Sequence, residues 1–134
     1  MAEKEVIYPD NWKDAFRRFT FAPAVKKGGK VIALSGLTGV NYETGELVGE
    51  DDIVAQTRQI FENIKQILKA ANASMADIIQ TTDYITTTEG YKETAKVRRE
   101  YFGDSFPAST GVIVAGLLRP KALIEINAIA VVDD

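Results

Sequence analysis

The last β-type run of the chain carries apolar residues on both of its faces. Between residues 123 and 132 the side chains alternate between two faces, as they do in an extended strand. One face carries Ile124, Ile126, Ala128, Ala130 and Val132, and the other carries Leu123, Glu125, Asn127, Ile129 and Val131. A strand of this kind needs a covering layer on each side, which excludes a sheet with one face in water.

The remaining segments predict the order β, β, α, β, α, β, β within a single domain, residues 1–134. Patterning favours strands at 19–25, 30–35, 77–86, 110–118 and 123–132, with glycine-rich loop from 36 to 49. This order predicts an α/β (α+β) domain with a mixed sheet and both helices on one face.

Two helices are expected from the spacing of apolar residues. The first spans about 52–71, with Asp51 as its N-cap and Asn72 in the left-handed position after its end. The second begins near Thr87 and Thr88 and ends at Gly103. Its inner face carries Tyr91, Ala95, Arg98 and Phe102.

Two helices cover one face of such a sheet and leave the other face, largely apolar, uncovered. Soluble monomers avoid large apolar patches, so symmetric self-association through the sheet is expected. Association would also bury Glu125, and a buried carboxylate needs either a partner or a chemical role. Glu125 is therefore a candidate for orienting water, with a structural ion pair or a solvated strand face as the alternative.

Composition removes several kinds of chemistry. The 134 residues include neither cysteine nor histidine, so the usual zinc ligands and the Ser-His-Asp and Cys-His arrangements are missing. A formal net charge of −3 argues against general binding to a nucleic-acid backbone. The polar N-terminus and the lack of a long apolar run predict a cytoplasmic protein with no membrane segment.

Four stretches resemble the Rid family of small enamine/imine deaminases, also called the YjgF family. The similarity covers about residues 19–132, and its stretches are VIALSG, ETGELVGEDDIVAQTRQIFENIKQILKAANASMADIIQTTDYIT, REYFGDSFPAST and LIEINAIAV. The resemblance implies a chorismate-mutase-like fold of the bacillus type. It further implies a homotrimer whose sheets form a central barrel, with ligand clefts between subunits. The implied reaction is hydrolysis of a reactive enamine or imine to a keto compound and ammonia, without a cofactor or metal.

The family's site residues are matched in part. Ser35 and Gly36 match the family's SG turn, and Glu125 matches the glutamate that places the attacking water. Thr110 and Gly111 follow the stretch that lines the substrate, where Gly111 stands in place of a common cysteine and its backbone would assist. Phe21 replaces a tyrosine that lines the cleft.

The arginine that grips the substrate carboxylate is missing, because Ser109 occupies its position. Since a hydroxyl does not replace a guanidinium fork, hydrolysis of 2-aminoacrylate-type substrates is expected to be weak. If the ligand is an anion, the candidate replacement cations are Arg98, one helical turn after Ala95, and Arg119, in a lengthened loop. The alternative for Arg98 is an ion pair with a surface acid such as Glu93 or Glu100.

Three functions remain open from the sequence. The first is a Rid-type deaminase for another small anionic substrate, of which the 2-aminomuconate type is the first to compare. The second is a non-catalytic trimer that binds a metabolite or a partner protein. The third, disfavoured by the net acidity, is the endoribonuclease or translation-inhibitor role found in older names of the family.

Overall fold

The computed structural model describes residues 4–134, so the first three residues of the predicted domain lie outside it. Three helices and eight strands follow in the order β1, α1, β2–β5, α2, β6, α3, β7, β8. Their bounds are β1 Glu5–Ile7, α1 Lys13–Phe16, β2 Ala24–Lys26, β3 Lys30–Ala33, β4 Val40–Asn41, β5 Glu46–Leu47, α2 Ile53–Ala70, β6 Ile78–Ile85, α3 Ala95–Phe102, β7 Ala108–Ile113 and β8 Ile124–Val132.

The main sheet has four strands in the order β3-β8-β6-β7. Strand β8 runs antiparallel to both β3 and β6, whereas β6 and β7 are parallel and are connected through α3. The predicted mixed sheet with two main helices is therefore confirmed. The short pairs β1–β2 and β4–β5 form separate two-stranded sheets, of which β4–β5 is a hairpin.

Burial along β8 alternates as the sequence predicts from Ile124 to Ala130, whereas Val131, expected on the opposite face, is buried as well. Ile124, Ile126 and Ala130 are buried in the core with residues of α2 and α3, whereas Glu125 and Asn127 are half-buried on the opposite side. We call these two sides of the sheet the helix face and the open face. By strand register the open face also carries Val31, Ala33, Ile129, Thr82, Tyr84, Thr110 and Val112.

Helix α2 follows the predicted pattern, with a correction at its start. The N-cap is Asp52, not Asp51, and its Oδ1 accepts hydrogen bonds from the backbone N–H groups of Val54 and Ala55 at 3.1 and 3.0 Å. Asp51 lies one residue earlier in a left-handed conformation with φ of 62°. Asn72 has φ of 58° and occupies the predicted left-handed position.

Helix α3 starts later than predicted. Thr87 and Thr88 do not cap it; the Thr87 hydroxyl instead accepts from the N–H of Glu89 at 3.1 Å. Gly90 then takes a left-handed conformation and a 3-10 turn, Tyr91–Thr94, precedes the α-helix. Gly103 ends the helix as expected, with φ of 60°.

Two predicted strands have different bounds. The strand expected at 19–25 is reduced to β2, because Pro23 has no N–H to donate, although the N–H of Ala22 reaches the carbonyl of Pro107 at 2.9 Å. The strand expected at 110–118 begins at Ala108 and ends at Ile113, and residues 114–118 form a loop. Within residues 4–134, no helix is long and apolar enough to cross a membrane.

Candidate functional site

The Glu125 side chain projects from the second residue of β8 onto the open face. Its carboxylate lies against Gly36, so closely that a Cβ atom placed on Gly36 would be 2.3 Å from Glu125 Oε2. Tyr84 of β6 is its partner in the strand register. Position 36 therefore accommodates the carboxylate because it has no side chain.

The Ser35–Gly36 step is brought to Glu125 by a break in strand pairing. The N–H of Leu34 still donates to Ala128, at 3.1 Å, and the N–H of Leu37 donates to Ile126, at 2.9 Å. The Asn127 amide donates to the carbonyl of Leu34 at 2.6 Å and holds the edge of the break. Between these contacts Ser35 and Gly36 are exposed beside the glutamate. The structure thus places Gly36 against Glu125, with Ser35 as its chain neighbour.

A broad depression of about 520 Å³ opens next to the Glu125 carboxylate. Besides Glu125 and Gly36, its walls are Tyr84, Asn127 and the loop at Val114, Gly116, Leu117 and Leu118. Leu118 is fully exposed in the single chain. A water molecule and a small substrate have room to approach the carboxylate from this side.

A second group of candidate residues lies on the helix face of edge strand β7. The Thr81 hydroxyl donates to the hydroxyl of Ser109 at 2.9 Å. Gly111 lies under Tyr91, whose hydroxyl would be 3.1 Å from a Cβ atom at position 111. Thr110, between them, projects to the open face instead, beside Thr82. A side chain at position 111, such as the cysteine common in the family, would therefore crowd the Tyr91 hydroxyl.

A cleft of about 150 Å³ lies beside Ser109, and we call it the Phe21 cleft. Its lining is Thr20, Phe21, Tyr91, Lys92, Thr94, Ala95, Arg98 and Ser109. Three of the predicted substrate-binding residues, Phe21, Ser109 and Arg98, therefore meet here.

Arg98 belongs to a buried polar network rather than to the protein surface. Its guanidinium forms an ion pair with Asp83 and also donates to Thr94. The Tyr91 hydroxyl donates to the same Asp83 oxygen, Oδ2, at 2.7 Å. Burial, followed by the charge of Asp83, raises the pKa of Tyr91 well above its usual range, so the phenol keeps its proton.

The partner expected for Arg98 is therefore corrected. Neither Glu93 nor Glu100 pairs with it, and Glu100 accepts from Arg58 at 2.9 Å. Sequence reasoning did not single out Asp83, which is 1% exposed. The sequence did offer one indication of its burial: in β6, Asp83 lies on the same face as Thr81 and Ile85, which are also buried. Asp83 Oδ1 has no hydrogen-bond partner among residues 4–134.

Arg119 lies away from both groups of residues. Its guanidinium donates to the carbonyl of Gly45, in the β4–β5 turn, at 2.8 Å. It lines neither the Phe21 cleft nor the depression at Glu125. The described residues also contain no cluster of three His, Cys, Asp or Glu side chains that could hold a metal ion.

The two groups of candidate residues face opposite sides of the same sheet. Glu125 is on the open face, whereas Ser109 and Gly111 are on the helix face, two strands away. A single chain therefore does not bring the carboxylate and the Phe21 cleft into one site.

This fold, with its mixed sheet, two main helices and central glutamate, is that of small Rid-type domains. The sequence model of the family described as endoribonuclease L-PSP matches residues 14–132. A solved structure of the Rid family, YyfB from Yersinia pestis, superposes with a TM-score of 0.85 at 30% identity, covering 97% of this chain and 99% of that one. The protein belongs to the Rid family, which confirms the resemblance seen in its sequence.

Several curated relatives extend the similarity over nearly the whole chain. A RutC family protein of Pyrococcus horikoshii is 41% identical over 95% of this chain and 97% of its own length. The 3-aminoacrylate deaminase RutC of Acinetobacter baylyi is 33% identical over 95% and 97%. The 2-iminobutanoate/2-iminopropanoate deaminase of Dermatophagoides farinae is 34% identical over 78% and 80%.

Proposed function

We propose that the protein hydrolyses an enamine or imine to a carbonyl compound and ammonia. The observation that carries the proposal is the Glu125 carboxylate, which is half-buried and held against Gly36 on the open face. Partly removing a carboxylate from water costs free energy, and proteins keep such groups most often at functional sites. Membership in the Rid family, and the deaminase names of two relatives, support this reaction class.

The chemistry needs one water molecule and two proton transfers. An enamine first takes its imine form, and water then adds to the carbon of the C=N bond. Glu125 accepts a proton from the attacking water and returns it to the nitrogen, which gives a carbinolamine. Glu125 then accepts the proton of the new hydroxyl group and passes it to the nitrogen as the C–N bond breaks, so that ammonia leaves and a C=O bond remains.

The substrate is proposed to differ from the 2-aminoacrylate type. Ser109 offers a hydroxyl, already bonded to Thr81, where a guanidinium would hold a carboxylate with two parallel bonds. We expect hydrolysis of 2-iminopropionate to be weak or absent. A conjugated compound of the 2-aminomuconate type is the alternative substrate to try first.

The complete site is proposed to form between subunits of a homotrimer. On the open face the apolar residues Val31 and Val112 are 66% and 37% exposed. Exposed apolar side chains of this kind favour coverage by a further copy of the chain. Within one chain, Glu125 and the Phe21 cleft lie on opposite faces of the sheet. Packing between subunits would bring Glu125 of one subunit close to the Phe21 cleft of another.

Ammonia release from a panel of imines, each generated in place, tests the activity. A panel member that is hydrolysed by the wild-type protein should be hydrolysed roughly ten-fold more slowly, or worse, by Glu125→Gln, which keeps the shape and removes the charge. If no imine in the panel is hydrolysed faster than in buffer, the second candidate gains support. That candidate is a trimer that binds a metabolite or partner without catalysis, and the absence of an arginine at position 109 favours it.

A further inference from the structure

The buried cation beside the Phe21 cleft is already paired within the chain. Arg98 is 6% exposed and its guanidinium is engaged by Asp83 and Thr94. A buried arginine that balances a buried carboxylate is not free to bind a substrate carboxylate, because leaving the ion pair would strand Asp83. Lys92 is the other cation of the cleft, and it is exposed, where a single ion pair is weak.

Phe21, which lines the cleft, belongs to a row of packed aromatic rings. The Phe21 ring stacks on Phe19 with centroids 5.1 Å apart and planes within 10°. Phe16 meets the Phe21 ring edge-on at 5.6 Å and stacks in turn on Trp12 at 5.9 Å. Phe21 is therefore fixed by a row of rings that extends away from the cleft to the surface.

This row includes rings that lie before the residues matched by the family model. Trp12 precedes residue 14, where the family match begins, and so does Tyr8, whose ring contacts Phe16 at 6.3 Å. The N-terminal segment thus supplies rings that hold Phe21 in place. Fixing an aromatic surface in advance lowers the conformational cost of stacking a ligand on it.

The size and lining of the cleft fit a flat carbon skeleton. Its volume is about 150 Å³ and its surface is mostly apolar. An apolar cavity of about that volume accepts a benzene ring. The side chains of Ala95, Ser109 and Thr20 are small, so none of them fills the space in front of Phe21.

We propose that the Phe21 cleft binds a planar conjugated group of the substrate, an aromatic ring or a diene attached to the carbon of the C=N bond, by stacking on Phe21. Assigning that group to a substrate rests on the proposed hydrolase activity, whereas the preference of the cleft for planar uncharged groups does not. The proposal concerns this cleft alone and is compatible with a carboxylate elsewhere on the substrate.

Stable ketones test the preference without catalysis. Acetophenone carries a ring and no carboxylate, and pyruvate carries a carboxylate and no ring. Calorimetric titration of the full-length protein should give an affinity for acetophenone at least about ten-fold higher than for pyruvate. Amide chemical shifts should change at Ala95 and Ser109. Equal or tighter binding of pyruvate overturns the proposal.

Two substitutions test whether the acetophenone ring binds in the Phe21 cleft. Phe21→Ala should weaken acetophenone binding by about two- to ten-fold, the range of an aromatic pair. Ala95→Leu should weaken it by filling the cleft and leaves Phe21 intact, so a folding defect of the first variant does not decide the test. Tyr42→Ala is the control, since Tyr42 is exposed on the distant β4–β5 hairpin. Unchanged affinity in both cleft variants refutes the assignment.

The two proposals fail separately. If acetophenone binds as described but no imine in the panel is hydrolysed, the activity is wrong and the cleft preference stands. If imines are hydrolysed while pyruvate outcompetes acetophenone, the activity stands and the cleft preference is wrong.

Discussion

Gly36 leaves room for the Glu125 carboxylate, and this contact is open to a direct test. In Gly36→Ala the new Cβ would overlap Glu125 Oε2, the end of a flexible side chain, which must rotate away. We expect turnover to fall by about ten-fold or more, as for loss of a positioned acid/base group, with little change in the thermal unfolding midpoint. Steady-state kinetics and calorimetry measure both quantities.

Gly28→Ala is the matched control for that substitution. A Cβ atom at Gly28 would meet nothing within 4 Å, and its backbone is not left-handed. Both activity and stability should therefore stay near the wild-type values. Full activity in Gly36→Ala would show that the carboxylate does not need the position it has here.

The Asp83–Arg98 pair predicts a particular pattern of stabilities. Arg98→Met leaves Asp83 buried without its partner and should lower the free energy of unfolding by about 3–5 kcal/mol. Adding Asp83→Leu removes the stranded charge, so the double variant should be more stable than the single one. Urea denaturation of the three proteins checks this. If Arg98→Met is as stable as the wild type, Arg98 is free to serve a ligand.

Single residues show how far the sequence alone could go. Glu125 and the Ser35–Gly36 turn could each be singled out, because each lies in a stretch that resembles the family. The ion pair of Arg98 was not, since Asp83 lies fifteen positions earlier on another element and reaches Arg98 through the packing of α3 on the sheet. The choice between Asp51 and Asp52 as N-cap was also wrong, because both are acidic and the backbone conformation decides between them.

At the scale of elements, the N-terminal strand is tied to the sheet by one lysine. The Lys4 ammonium donates to the carbonyls of Ile78, at the start of β6, and Ser105, at 3.0 and 2.6 Å. Burial, followed by the charge of the neighbouring Lys27, lowers the pKa of Lys4 from 10.5 to about 8, although Asp77 opposes the change. The attachment of β1 should therefore depend on pH.

The direction of that dependence follows from proton linkage. Because the folded pKa is below the unfolded value of 10.5, the contribution of Lys4 is complete above 10.5 and is lost as the pH falls through about 8. The stability of the wild type relative to Lys4→Met should thus rise between about pH 8 and 10.5. Denaturation midpoints of both proteins across this range measure it, and a constant difference contradicts the shift.

Element boundaries were predicted less well than element types. Every long helix and strand of the main sheet was expected, whereas α3 starts after a 3-10 turn and β7 ends five residues early. The start of α3 depends on the left-handed conformation of Gly90, and the end of β7 depends on how far its parallel partner β6 extends. Local sequence propensity predicts neither of these features.

For the whole molecule, the open face gives the clearest prediction. Val31→Asp places a charge on an exposed side chain of one chain, which by itself should cost little. If the open face packs against other copies, the charge becomes buried, and the wild type should sediment with the mass of three chains while the variant dissociates. Tyr42→Asp, at 67% exposure against 66% for Val31, is a control of matched exposure that should leave the mass unchanged.

The order β3-β8-β6-β7 places the last strand of the chain between two earlier ones. Strands β3 and β6 have no contact in the sheet until β8 joins them. The β6–β8 pairing therefore waits for residues as far apart as Ile85 and Ile124, and the β3–β8 pairing for residues as far apart as Lys30 and Val132. Closing such a long loop is entropically costly and slow. A chain cut before residue 124 would keep the local β6–α3–β7 unit but lose the middle of its sheet, with two unpaired strand edges free to join other chains. Nonsense mutations near the 3′ end of the gene should therefore yield aggregating products rather than slightly shortened, working ones.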